Sequence, residues 1–494
     1  MQSISFKFLL FCIVHNVSSS LFGQTFKPRL MEVKSMQEEL IFVQNKLNEV
    51  HPEPYHYISK EKFDDRLNAL QGNLRPMSLE KWYMQLATLI SSLHDGHTGL
   101  YYDQNERERY FKQDGKLLPF LINVSDDKNL IIRHNFTRDS DLDSAIILSL
   151  NNHSSAELIN TMNMLTFGES EVFRHSQVTE MFGRMYWILF GHTDSVELTI
   201  RLKNGTQKTE KYACLTKTEI DELFKRDFPA ANQPINYHMK LTSSFNKNVA
   251  SIALNDFMLY KGYKDSIANI FKTISEKKID TLFIDLRGNG GGEHQITEEI
   301  NHYLLDKPWV LVSKAKIKMS KEFYEVFPKA VRWLAKVLPK KPSLKLAAAI
   351  MTNNTKIKKI KKIRDPITKA ITYEIYTKPK QHYSKKYFFS GKVFLLTDRN
   401  SYSMSGMFAA IMKDYNRAVI VGEETGGLAN PHGSNVSVTL PYSKFKFTVS
   451  TSRAYRPSGI FDNQGVIPDI QVPYVILNQS KSIGDLIKLI TETK

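Results

Sequence analysis

The stretch TLFIDLRGNGGGEHQITEEI, residues 281–300, decides the fold. An unbroken apolar run from Thr281 to Leu286 reads as a buried strand, glycines follow at 288, 290, 291 and 292, and helical spacing then runs from Gln295 to Leu304. The same rhythm extends on both sides. Upstream lie the strand VASIAL and the helix YKDSIANIFKTISE; downstream lie the strand KVFLLT and the helix MFAAIMKDYN. Strands alternating with helices of this length predict βα units around a largely buried sheet.

The glycine run leaves backbone amides uncovered at a helix N-terminus, where partial positive charge favours an anion. A dinucleotide fingerprint needs a third glycine where Glu293 stands, and a phosphate loop needs a Gly-Lys-Ser/Thr that the chain lacks. The phosphate reading weakens, and the run is left as a site for the oxyanion of an acyl-transfer intermediate or as a purely structural turn.

A second strand-to-helix turn offers nucleophiles. In TDRNSYSMSGMFAAIM, residues 397–412, three serines alternate at 401, 403 and 405, ahead of an apolar stripe of Met404, Met407, Phe408, Ile411 and Met412. Ser401 has the position of a helix cap. Periodicity does not choose between Ser403 and Ser405, which flank the stripe. A base is offered by SSLHDGHTGLYY, residues 91–102, where His94 and His97 lie three apart beyond a helix. No cysteine or third ligand accompanies them, so the sequence predicts neither metal nor cofactor.

The rest of the chain of 494 residues is long enough for two or three domains. Residues 1–24 read as a signal peptide: a lysine, an apolar run from Phe6 to Val14, then small polar residues. Export to a periplasmic or extracellular space follows, with Cys214 the one cysteine of the mature chain. Residues 25–110 form a helical N-terminal region, with Leu40, Val43, Leu47 and Val50 marking one face, Trp82, Leu86, Leu89 and Ile90 another, and Ser78 a cap. Residues 111–240 carry short β-like runs, and AIILSLNNHSSAELINTM resembles the strand, turn and helix of a PDZ domain without its carboxylate-binding loop. Residues 241–494 hold the α/β core.

The net charge of +16 is local. Between Lys314 and Lys392 there are 22 Lys and Arg against 4 Asp and Glu, and the remainder is near neutral. That distribution argues against nucleic acid as the general partner. The basic segment reads as an insertion, its KIKKIKKIRD run a solvated edge strand or helix face; contact with an anionic surface is the sharper alternative.

Four motifs together carry a resemblance: LHDGHT, FIDLRGNGGG, VFLLTDRNSYSMSGMFAAIMKDYNRAVIVGEETGG and SGIFDNQGVIPDIQV stand in the order and spacing of the tail-specific (C-terminal-processing) and tricorn-core serine peptidases. The resemblance spans about residues 80–475. It implies a mixed-sheet α/β peptidase core of the ClpP/crotonase-like type, and a polypeptide substrate hydrolysed through an acyl-enzyme. The family's serine motif, laid on Asn400-Ser401-Tyr402-Ser403-Met404-Ser405-Gly406, selects Ser403 as nucleophile. Tail-specific members use a lysine where this chain has Leu428, which cannot accept a proton. The tricorn-like branch uses a histidine and an acid, which the motifs match to His97 and Asp462. The resemblance further implies an oxyanion hole from the amides of Gly291 and Met404. Its non-catalytic relatives imply the rival reading, an inactive ligand- or peptide-binding protein on the same fold.

Overall fold

The computed structural model describes residues 28–229, 240–325, 355–379 and 386–492, apart from positions 138, 247, 367, 368, 370 and 481. The expected signal peptide at 1–24 lies outside the described residues.

Three helices, Val33–Val50, Lys60–Gly72 and Leu79–Ser91, open the described chain. Ser59 and Ser78 cap the second and third by accepting the amides of Lys62 and Lys81. Their apolar faces do not close on themselves. They share one continuous core with an antiparallel sheet in the order Gln207–Ala213, Ser195–Arg201, Ile146–Leu150, Leu130–Asn135, Phe120–Val124, and with Phe445, Phe447 and Val449 from near the other end of the chain. Cys214 is a free, buried thiol whose pKa burial pushes up to about 11.

The α/β core is a mixed sheet in the order Lys240–Asn246, Val249–Ala253, Thr281–Asp285, Lys392–Thr397, Val419–Gly422, Ile470–Gln471, parallel except at the first pair. Helices Tyr263–Glu276, His294–Leu304 and Met404–Asp414 bury Ile267, Phe271, Ile300, Phe408 and Ile411 in one core with Leu282, Ile284 and Leu395 of the strands. Sheets of this kind place their functional loops at the carboxyl ends of the parallel strands, and the glycine run and the serine turn both sit there.

Two smaller sheets tie distant parts together. Gly99–Tyr101 pairs antiparallel with Lys446–Val449, Gly99 opposite Thr448. That pairing fixes the loop holding His97 against the C-terminal half. The basic segment supplies Lys314–Ile317, Ile371–Pro379 and the edge strand Thr355–Arg364 of a five-stranded sheet completed by Ser452–Tyr455 and His432–Gly433. Its lysines at 356, 358, 359, 361 and 362 are exposed along that edge, where solvated charge opposes pairing with another chain. Among the described residues no helix is long and apolar enough to cross a membrane.

Candidate active site

The strand Lys392–Thr397 ends in a turn that Asp398 organises. Its carboxylate accepts the amides of Gly288 and Asn400 at 3.0 and 2.9 Å. Ser401 completes the turn: its hydroxyl donates to the Leu286 carbonyl at 2.8 Å and accepts the Asp398 amide at 3.0 Å. Ser401 and Ser405 are fully buried, and the Ser405 hydroxyl finds no partner. Ser403 alone of the three is partly open. It sits just ahead of helix Met404–Asp414 with φ 54° and ψ −115°, a conformation that costs a non-glycine residue energy and that aims the side chain out of the turn.

The Ser403 hydroxyl lies 2.9 Å from Nε2 of His97. The loop that carries the imidazole is held from several sides. Asp95 accepts the His97 amide at 2.8 Å on one carboxylate oxygen. Its other oxygen accepts Thr98 and Ser450 hydroxyls, both at 2.8 Å, and Nε2 of His51 at 2.7 Å. Burial opposes charge on Asp95, but the neighbouring His432 and the hydrogen bond from His51 more than offset it, and the carboxyl stays well below its ordinary range. His97 is shifted below 6.5 by burial, against a smaller opposing pull from Asp95, so its ring is uncharged at neutral pH.

The Nδ1 side of His97 is where the motif match would put Asp462. The structure does not bring it there. Asp462, one-third exposed, accepts Asn430 Nδ2 at 3.2 Å and lies 3.7 Å from the Arg456 guanidinium, both of which draw it away. Nδ1 instead meets the Tyr402 hydroxyl at 3.1 Å. The Tyr402 ring stacks with His97 at 5.0 Å and with Phe173 at 4.1 Å. Neither the tyrosine nor the Asp95 cluster was legible as part of the site. The one local signal was that both adjoin motif residues, Tyr402 before Ser403 and Asp95 in Asp-Gly-His.

The glycine loop faces the serine. Gly291, at φ 102°, stands so close that a Cβ there would lie 2.8 Å from both the Met404 amide nitrogen and the Ser403 Cβ. Its own amide is not presented to this gap: it donates to the Asn289 side-chain oxygen at 2.8 Å, an Asx-type turn within the loop. The Gly291 amide, expected as an oxyanion donor, is thus already engaged within the loop, whereas the Met404 nitrogen stands beside Ser403 at the helix N-terminus.

His94 does not join His97 as a ligand pair; it turns toward Arg174, 3.3 Å from Nδ1. His51, Asp95 and His432 do cluster, with ligand atoms within 4.8 Å. His51 accepts the Glu53 amide on Nδ1 at 3.0 Å, so its Nε2 carries the proton given to Asp95 and offers no lone pair to a metal. Leu428, at the lysine position of the tail-specific branch, is buried, and its backbone bridges to Gly465.

Residues 248–472 match the family described as Peptidase family S41. The chain carries an S41 peptidase domain. Ser403, Gly291, Met404 and Asp462 fall within the S41 domain, whereas His97 and Asp95 lie outside the matched residues. The fold is similar to that of mature CPAF, whose crystal structure is 16% identical over 94% of this chain and 97% of that one, with a TM-score of 0.64. Mature CPAF complexed with lactacystin aligns alike, at 16% identity over 94% and 98% and a TM-score of 0.64. The S41 domain makes the protein a serine-type peptidase, a hydrolase of polypeptides, and an inactive binding protein is not the favoured reading.

Proposed function

We propose that Ser403 is the nucleophile and His97 its general base in peptide-bond hydrolysis by this protein. The observation that carries the reading is the 2.9 Å hydrogen bond between the Ser403 hydroxyl and His97 Nε2, made by a strained serine at a strand-to-helix turn. His97 takes the hydroxyl proton as Oγ attacks the peptide carbonyl, then gives it to the leaving amine. The tetrahedral oxyanion is met by the Met404 amide and the partial positive charge of its helix N-terminus. Water then releases the acyl group by the same path.

A fluorophosphonate probe tests this directly. Labelling of the wild-type protein that disappears in Ser403→Ala and slows sharply in His97→Ala supports it; equal labelling of Ser403→Ala refutes it.

Export of the mature chain is part of the same proposal, supported by the sequence pattern of residues 1–24 and tested by N-terminal sequencing of secreted protein. The exposed lysines of Thr355–Arg364 offer a contact to an anionic surface, one that added salt would weaken.

A further inference from the structure

The Tyr402 hydroxyl on Nδ1 of His97 lies near Glu169, in the loop just ahead of helix Glu171–Phe190. Both Glu169 carboxylate oxygens are buried, and neither has a hydrogen-bond partner. The two groups crowd one spot: a Cβ on Gly96 would lie 1.8 Å from the Tyr402 oxygen and 2.9 Å from a Glu169 oxygen. The absence of a side chain at residue 96 is what lets phenol and carboxylate approach beside the imidazole.

A hydroxyl has one proton to give. If Tyr402 gives it to ionised Glu169, its oxygen is free to accept Nδ1–H, and Nε2 keeps the lone pair that must receive the Ser403 proton. If Glu169 is protonated and donates to the Tyr402 oxygen, the phenol proton turns to Nδ1. His97 then carries its proton on Nε2, pointed at Ser403, and cannot act as base. We propose that Glu169, by closing a hydrogen bond onto the adjacent Tyr402 hydroxyl, sets the tautomer of His97 and thereby gates Ser403. This rests on the Ser403–His97 reading and adds to it the positioning group that Asp462 does not supply. No net proton is consumed by the relay itself: during acylation the Ser403 proton moves to Nε2 as the Oγ–carbon bond forms, and leaves on the amine as the carbon–nitrogen bond breaks.

The groups facing Glu169 are Asp95, Tyr57, Tyr402, Arg174 and Arg453, with the amides of Gly96 and Glu169 itself. Burial, then the Asp95 charge, disfavour its ionised form, while those amides and Arg453 favour it; the balance pushes the carboxyl up to about 8. Asp95, Tyr402 and Ser403 are the groups that face His97.

The experiment compares kcat and KM across pH for the wild type, Tyr402→Phe and Glu169→Gln on an unstructured polypeptide. The wild type is expected to gain activity in two limbs, one below 6.5 from His97 and one near 8 from Glu169. Glu169→Gln still accepts a hydrogen bond but cannot titrate, so it should keep the lower limb and lose the upper. Tyr402→Phe should lower kcat roughly 10²-fold at unchanged KM. An upper limb that persists in Glu169→Gln overturns the proposal, as does wild-type kcat in Tyr402→Phe, or loss of activity in Asp462→Asn with both of the others fully active. Should Tyr402→Phe fail to fold, the pH profile of Glu169→Gln decides alone. Ser403→Ala separates the two levels: if it stays active the nucleophile assignment fails, whereas a dead Ser403→Ala with an unchanged Glu169→Gln profile sinks only the relay.

Discussion

Ser403 and His97 meet at 2.9 Å although 306 positions separate them in the chain, and the pairing of Gly99 with Thr448 is what brings the histidine loop to the C-terminal half. Asp95 is the fastener of that loop. It is 2% exposed and accepts four hydrogen bonds from His51, His97, Thr98 and Ser450. Asp95→Asn turns an acceptor into a donor facing donors. The expected result is a loss of about 1–3 kcal/mol per orphaned group in a denaturant titration, with slower Ser403 labelling.

The three serines of the turn should separate cleanly. Ser401→Ala removes a donor to Leu286 and an acceptor for the Asp398 amide, so it should cost stability, about 1–3 kcal/mol, while the enzyme that remains folded still labels. Ser405 makes no hydrogen bond with its buried hydroxyl, so Ser405→Ala should be neutral or slightly stabilising. Thermal melting beside probe labelling reads both effects.

Within the glycine loop, position rather than composition should matter. Gly291→Ala would push a methyl to within 2.8 Å of the Met404 nitrogen and strain a φ of 102°, closing the gap beside Ser403 proposed for the oxyanion. Gly290 has open space where a Cβ would go. Gly291→Ala should therefore lose most of kcat, with Gly290→Ala close to wild type, as measured by steady-state hydrolysis.

Glu53 should make the fold sensitive to acid. It lies 2.9 Å from Lys316 of the basic segment and 3.4 Å from buried Arg453, joining the N-terminal helices to the five-stranded sheet. Burial alone would raise its pKa, but Lys316, then Arg453 and His432, pull it down to about 2 from 4.5. Its stabilisation is therefore present above about pH 4.5 and is lost as pH falls through about 2, amounting to roughly 3 kcal/mol at most. Chemical denaturation of Glu53→Gln against the wild type should show that acid slope flattened.

Much of the architecture was written in local pattern. The helix read from YKDSIANIFKTISE has the same limits in the structure, Tyr263–Glu276, because its apolar residues repeat at helical spacing between polar turns. The Lys–Ile alternation at 355–364 is an edge strand, one of two states its pattern allowed. The site was less legible. Motif order could point to Ser403, His97 and the glycine loop, because those residues sit in short contiguous signatures. It pointed equally to Asp462, whose side chain answers to Asn430 and Arg456, neighbours no motif records. Glu169 left no signal and Tyr402 only its place before Ser403, because their relation to His97 exists only after three separate loops converge around Gly96.

The central claim is that Ser403 attacks the peptide carbonyl and His97 takes its proton. The most direct measurement is hydrolysis of an unstructured polypeptide by the wild type, Ser403→Ala and His97→Ala, each shown folded by circular dichroism. The account predicts that Ser403→Ala has no activity above the uncatalysed rate and that His97→Ala falls by roughly 10²–10⁴-fold. Full hydrolysis by Ser403→Ala would contradict it.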